Sequence, residues 1–596
     1  MSDINEILKS PDWTMDDAYV DLRAPRYEES VTKLTSLVKD FEQYQKVDAS
    51  NVLAAMKVYE EAECIGSSLL SFIKCMGAKN SSDERVSEEN SRILCIKAEM
   101  QKLVTPLFAF ISTLADEDPL WSEVPLSNWK FEFSQRKQHW KHKLSAADQQ
   151  WVNEFERMMF IPLGDIFKTL QNGVDIQAKN SKGEDERVRA SKMVSVMKGN
   201  PDPVLRKTTF EGMAKSYGER GALYAALLNE THGYRLTAFG RAGVTALDVS
   251  LLQNRMSKEA LMAMREAILS NIDTIREAVT LRTPYFGNDI MAVYDLMCPP
   301  PMGNKVPDLI PYEEGIKTVR AALTDIGPEL GDFIALVVKN RWVDAVQSDN
   351  KIGGAFYSRF NEFKIPRVYT SYMGNITTIL QQGHEMGHAF HYWVMRDLPT
   401  IQTEFPMTLT EMASTFNEAA IRKYLIETAK EGDQLHFDML WQELRYLANF
   451  MLNVMVRFDF ELKYFEERQK GTVNASRCVE LMRESWKQWY GDTTDGADDY
   501  LWAYKLHYYK TDQHIYNYPY AVGYLLSSRL IAEKKKRGDD FMDFYKALLR
   551  DTGRMTVDDL FAKHLGEDVK SVEFWQGCLS APLDCVAQFK AKYARK

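Results

Sequence analysis

Apolar residues recur at three- and four-residue spacing through most of the chain, the signature of amphipathic helices. The pattern is clearest between about 28 and 118, in "VTKLTSLVKDFEQY" and "NVLAAMKVYEEAECIGSSLLSFI", and glycine-poor charged helices continue through "LSAADQQWVNEFERMMF". The polar stretch "NGVDIQAKNSKGEDE" (172–186) interrupts them as a hairpin or a lobe boundary. Helical spacing returns over 203–233 and 257–283, and the prolines of "MCPPPMGNKVPD" (297–308) predict a loop. The period then changes. "KIGGAFYSRFNEFKIPRVYTSYMGN" (351–375) is rich in Gly, Tyr, Phe, Val and Ile and predicts two or three short strands. From 376 onward helical spacing runs to the end. The expected fold is therefore mainly α, with one small β-sheet placed just before the helix that begins near 376. No internal repeat or low-complexity segment is visible.

A length of 596 residues exceeds what one core usually serves, so two or more lobes are expected. With 45% hydrophobic and 27% charged residues the composition is that of an ordinary globular protein. The net charge of −10 argues against nucleic acid as a partner, because phosphate binding needs a clustered basic face. The one basic run, "EKKKRGDD" (533–540), is flanked by acids and reads as a solvated helix end capped by Gly538. No run of about 18 apolar residues exists, so no membrane span is expected. The opening "MSDINEILKSPDWTMDD" lacks the charged-then-apolar order of a secretory signal. Seven scattered cysteines without a CxxC pair fit reduced thiols, and a cytoplasmic location is the expectation.

The chemistry concentrates in "TTILQQGHEMGHAFHYWVM" (377–395), which has helical spacing and no proline. On a helix, residues four apart lie about 40° apart in azimuth, so His384 and His388 can share one metal ion. Glu385 lies about 100° around from His384, within reach of an attacking water but poorly placed as a ligand. This is the HExxH arrangement of two imidazole ligands and a carboxylate base. The alternative, three polar residues sharing an ordinary helix, is disfavoured by the flanking apolar residues, since two unpaired buried histidines would be costly. Catalytic zinc usually takes a third protein ligand. A histidine six residues after His388 would be one source, but Val394 stands there and His391 occupies the glycine position of that pattern. The next predicted helix, "TLTEMASTFNEAAIRKYLI" (408–426), offers Glu411 and Glu418, seven apart and on nearly the same face. Either could bind metal, leaving the other to orient an imidazole.

The runs "HEMGHAFH" and "EMASTFNEA" resemble the thimet oligopeptidase family of zinc metallopeptidases, in particular its oligoendopeptidase F branch. The likeness extends to "RWVDAVQSDNKIGGAFYS" (341–358), "VYTSYMGN" (368–375), "KLHYYKTDQHIYNYPYAVGYLLS" (505–527) and "HLGEDVKSVEFW" (564–575), and to amino-terminal helical segments, so it spans most of the chain. The resemblance implies that Glu411, which opens the glutamate segment, is the third ligand to one Zn2+ per chain, with Glu418 behind it. It implies a helical region over 1–200, a catalytic domain over 201–596, and two helical lobes around a deep substrate channel. It also implies that His507 and the tyrosines of "IYNYPYAVG" face the metal, with Tyr520 and Tyr516 stabilising the oxyanion. Tyr518 competes for that role, and His514 reads as structural. Pro519 suits the first turn of a helix and would fix Tyr520 near its start.

A peptide can also bind as an added strand on a sheet edge. Gly353, Gly354 and Gly374 would permit close backbone approach, with Tyr372 beside them, and the resemblance places such a strand along the cleft. The same glycines could merely mark turns. The expected function is zinc-dependent endopeptidase cleavage of short unstructured peptides, with Glu385 as general base for a metal-activated water and with no nucleic-acid or membrane partner. A helical zinc carboxypeptidase or dipeptidase, or a non-catalytic zinc-containing peptide-binding protein, are the alternatives.

Overall fold

Helices dominate and strands are short, as the apolar spacing predicts. The computed structural model describes residues 6–301, 309–348, 350–430 and 432–595. Most of the expected proline-rich loop, 302–308, lies outside them. Residues Asp175–Lys179 (β1) and Asp185–Arg189 (β2) pair antiparallel, so the turn-rich stretch is a hairpin. A second sheet is built from Val343–Asp344 (β3), Ala355–Phe360 (β4) and Ile365–Thr370 (β5) in the order β3-β5-β4. Strand β5 runs parallel to β3 and antiparallel to β4, from Ala355 opposite Thr370 to Phe360 opposite Ile365. Among the described residues no strand pairs with the other edge of β4.

The chain forms two compact units, each discontinuous in sequence. The first comprises Met1–Lys137, Pro307–Tyr424 and Leu530–Gly566. Its core joins the amino-terminal helices α1 (Pro25–Phe41), α2 (Val52–Lys79) and α3 (Glu84–Leu103) to Phe360 and Tyr369 of the sheet. The amino-terminal region also grips the turn between β4 and β5. The Tyr19 hydroxyl donates to Glu362 at 2.6 Å, Ser30 donates to the same carboxylate at 3.0 Å, and the Glu362 amide donates to Ser68 at 2.8 Å. The other side of the sheet packs against α4 (Ile376–Met395), and α4 in turn meets α5 (Met407–Thr428). The sheet is thereby fixed between the amino-terminal helices and the helix that carries the two histidines.

The second unit comprises Gln138–Val306, Leu425–Arg529 and Glu567–Lys596. Helices Pro203–Glu219, Gly221–Arg241 and Lys258–Ser270 fall where the spacing predicts them. The division expected near residue 200 falls at the break between helices Ala190–Gly199 and Pro203–Glu219, inside this unit. Arg235, fully buried, donates to the carbonyls of Lys510 and Gln513 and so pins the segment that leads to Tyr516. The basic run ends its helix at Arg537, where Gly538 takes the left-handed conformation at φ 59°. Its Glu533 is buried and accepts from Arg537 at 2.7 Å. All seven cysteines are free thiols, and among the described residues no helix is long and apolar enough to cross a membrane.

Candidate metal centre

Helix α4 starts at Asn375, whose side chain accepts from the Thr378 amide at 3.0 Å in a capping box. Two glycines then set how close its neighbour comes. A Cβ on Gly383 would meet Ile421 Cδ1 at 2.1 Å, and one on Gly387 would meet the Ala413 carbonyl oxygen at 2.6 Å and Ser414 Cα at 2.7 Å. Each glycine immediately precedes a motif histidine, so the close contact brings α5 and its carboxylates to the imidazoles. The Asn417 amide bonds the Gly383 carbonyl at 3.2 Å across the same seam.

The result is a convergent donor set: one ligand atom each from His384, His388 and Glu411, all within 4.8 Å of one another. His384 Nε2 lies 3.3 Å and His388 Nε2 lies 3.9 Å from Glu411 Oε2. His384 Nδ1 donates to Glu418 Oε1 at 2.6 Å, which leaves Nε2 as the ring atom that faces the site. Glu418 is itself held by Arg422 at 3.3 Å, and Ser414 donates to Glu411 Oε2 at 3.1 Å. Two nitrogens and one carboxylate oxygen suit a zinc ion, and the outer partners are those that fix an imidazole's tautomer. The electrostatics point the same way. Burial alone would lower the His384 pKa, but Glu411 and Glu418 raise it well above the usual histidine value, so they favour a positive charge here. Burial opposes ionisation of Glu411, yet the hydrogen bond and charge of His384 hold it down at about 2. His388 is pushed down to about 4 by burial and then by His384.

Glu385 is only 6% exposed, and its carboxylate makes no hydrogen bond to a described residue. Burial pushes its pKa up to about 7, with Glu411 and Glu418 adding to the rise and His384 and Lys74 opposing it. Tyr357, from β4, stacks on His388 with ring centroids 5.3 Å apart. A cavity of about 350 Å³ opens beside it, lined by Lys74, Tyr357, Arg359, Glu404 and Thr410.

The structure brings together His384, Glu385, His388, Glu411 and Glu418 within the first unit. His507, Tyr516 and Tyr520 form a cluster of their own within the second, with ring centroids 5.3 to 5.6 Å apart. Ile515, just before Tyr516, sits at φ 47°. Burial and the charges of Lys505 and Arg457 push His507 down to about 2, so its imidazole is neutral. Tyr518 is turned into the core, where its hydroxyl accepts from Ser250 at 3.2 Å, and His514 packs edge-on against Phe239. Pro519 falls in the first turn of the helix Tyr518–Arg537.

His391 is bound to Thr552 at 2.8 Å and stacked on Phe405. Gly353 and Gly354 are open above Cα, with Gly354 at φ 103°. Tyr372 is fully buried and donates to the Ile310 carbonyl at 3.0 Å. Gly374, at φ 68°, has Leu8 Cδ2 where a Cβ would stand, 2.5 Å away. Sequence reasoning missed Tyr357, Lys74, Arg422 and the two motif glycines. Of these, the glycines carry a visible signal, a small residue before each histidine, and Arg422 carries another, its place four residues after Glu418 on one helix.

Residues 330–578 match the model described as Peptidase family M3. The chain is 24% identical over 448 residues to "Oligopeptidase PepF" of Bacillus subtilis, a match that covers 72% of this chain and 64% of that protein. It is 20% identical over 563 residues to "Oligoendopeptidase F homolog" of Borreliella burgdorferi, with 92% of each chain covered. The fold is shared with solved structures. A Chlamydophila abortus chain superposes with a TM-score of 0.83 at 16% identity, covering 97% of this chain and 98% of that one. Oligoendopeptidase-F from Enterococcus faecium superposes with a TM-score of 0.68 at 16% identity, covering 96% and 99%.

Proposed function

For this chain, which belongs to peptidase family M3 and to its oligoendopeptidase F branch, we propose endopeptidase cleavage of short, unstructured peptides. The observation that carries this reading is the convergence of His384, His388 and Glu411 beside a buried carboxylate that has no partner of its own. These three residues would hold one zinc ion, which supplies a Lewis acid that activates water and polarises the scissile carbonyl. Arg422 and Glu418 keep the His384 ring in the orientation that presents Nε2. Glu385 takes the proton from the attacking water and returns it to the leaving amine. Its burial suits both halves of that task, because a carboxyl poised near neutral pH can accept and release a proton.

The unpaired edge of β4 supports a substrate laid alongside it as an extra strand, held by main-chain bonds that ignore side-chain identity. Gly353 and Gly354, just before that strand, leave room for a second backbone. The oxyanion-donor role of Tyr520, Tyr516 and His507 rests on the resemblance and on their mutual contact. The catalytic region is taken as 201–596, after a helical region over 1–200, and a cytoplasmic location accords with the free thiols. Mass spectrometry of products from a mixed peptide pool, with and without chelator, tests the whole reading. Internal cleavage of unstructured peptides, abolished by chelator and restored by zinc, is expected. Chelator-resistant cleavage would exclude it.

A further inference from the structure

The second unit holds a partly open cavity of about 300 Å³ whose lining is unusual in charge. Lys198, Arg457 and Lys505 all face it, and none of the three makes an ion pair with a described residue. The one carboxylate in the lining is Asp498, which accepts from the Tyr504 hydroxyl and is held up at about 7, chiefly by burial. Burial pushes the Lys505 ammonium well below its ordinary pKa, and Arg457 and Lys198 push it further. Mutually repelling cations around a cavity are relieved by an anion inside it. The rest of the lining tells what kind of anion fits. Phe210, Leu296 and Trp486 are apolar, while Asn449 and Asn453 add amides, so the space suits a charged group attached to an uncharged body. His507 and Tyr520 line the same cavity, which ties it to residues already assigned to the reaction.

We infer that this cavity is a carboxylate-binding subsite, in which Lys198, Arg457 and Lys505 receive a peptide carboxylate, from the C-terminus or from an acidic side chain. Peptide as the ligand class rests on the reading of the chain as a peptide hydrolase. Cation-to-carboxylate hydrogen bonds are the stronger kind, and Arg can engage both oxygens at once.

The test is calorimetric binding to the full chain carrying Glu385→Gln, so that ligand is not consumed. Three matched peptides of about seven neutral residues are compared: the free acid, the C-terminal amide, and the amide with one internal Glu. Free acid is expected to bind about 10- to 100-fold tighter than plain amide. If the internal Glu restores tight binding to the amide, a side-chain carboxylate is also accepted; if it does not, the subsite reads the terminus. Lys198→Met and Lys505→Met, added singly, should each reduce the free-acid preference at least several-fold. Lys198 reaches solvent, so its replacement leaves the fold intact and keeps the comparison interpretable. Acid and plain amide binding within twofold in the parent, with no gain from the internal Glu, would overturn the subsite. A preference unchanged in both lysine variants would overturn it as well. Cleavage by the unaltered chain reports separately: carboxylate-dependent binding without cleavage keeps the subsite and removes the hydrolase reading.

Discussion

At the residue scale, the site divides labour among carboxylates that the chain surrounds differently. Glu411 is held ionised by His384 and Ser414, Glu418 is occupied by His384 and Arg422, and Glu385 is left without a partner. Glu385→Gln should therefore retain metal and fold while losing the base. The loss of kcat expected is about 10²- to 10⁴-fold, checked by steady-state kinetics beside elemental analysis. Arg422→Met acts one step further out, by freeing Glu418 to move. It should weaken zinc affinity about 10- to 100-fold in chelator competition, with the apo fold unchanged by circular dichroism. Tyr520→Phe removes a single donor. If it serves the oxyanion, kcat falls by about 10²-fold at nearly constant KM; a raised KM at constant kcat would make it a substrate clamp instead.

At the element scale, the candidate metal centre depends on two helices lying closer than ordinary side chains permit. Gly387 makes that possible, because α5 backbone occupies the space its Cβ would take. Gly387→Ala should push the helices apart, cost about 1–3 kcal/mol of stability in a urea titration, and lower zinc affinity more than that loss alone explains. An equal fall in stability with zinc affinity intact would show that the contact is structural only. The HExxH spacing was legible because helix geometry converts it directly into a shared face. The carboxylate of the donor set was half legible: spacing put Glu411 and Glu418 on one face, and the likeness to a family singled out Glu411, the one that converges with the two histidines. Arg422 stands four residues after Glu418 on the same helix and so was open to reading, whereas Tyr357 and Lys74 were not, because each reaches the site through packing between segments that sequence periodicity treats independently. The strands of 351–375 announced themselves by composition, but their order, which leaves β4 at the edge, is a property of tertiary pairing.

At the scale of the whole molecule, both compact units gather distant segments, an arrangement that no local pattern in the chain reveals. The second unit buries groups that titrate in opposite senses. His232 and His514 lie well below the ordinary histidine value and His507 at about 2, all chiefly through burial. Their contribution to stability is fully present above the unfolded value of about 6.5, and it is lost as pH falls toward the folded values. Glu461 and Asp498 are raised to about 7, again chiefly by burial. Their contribution is fully present below the unfolded values of about 4 and is lost as pH rises through 7. Between roughly pH 4 and 6.5 the two sets oppose each other, so stability should vary gently there and drop steeply only in stronger acid. Asp498→Asn isolates one side of this balance, because asparagine can still accept from Tyr504 but cannot ionise. The variant should gain stability relative to the parent at pH 8, and that advantage should shrink toward zero by about pH 4. Urea midpoints at the two pH values measure it, and an advantage that is constant with pH would show that Asp498 does not carry a raised pKa in the folded protein.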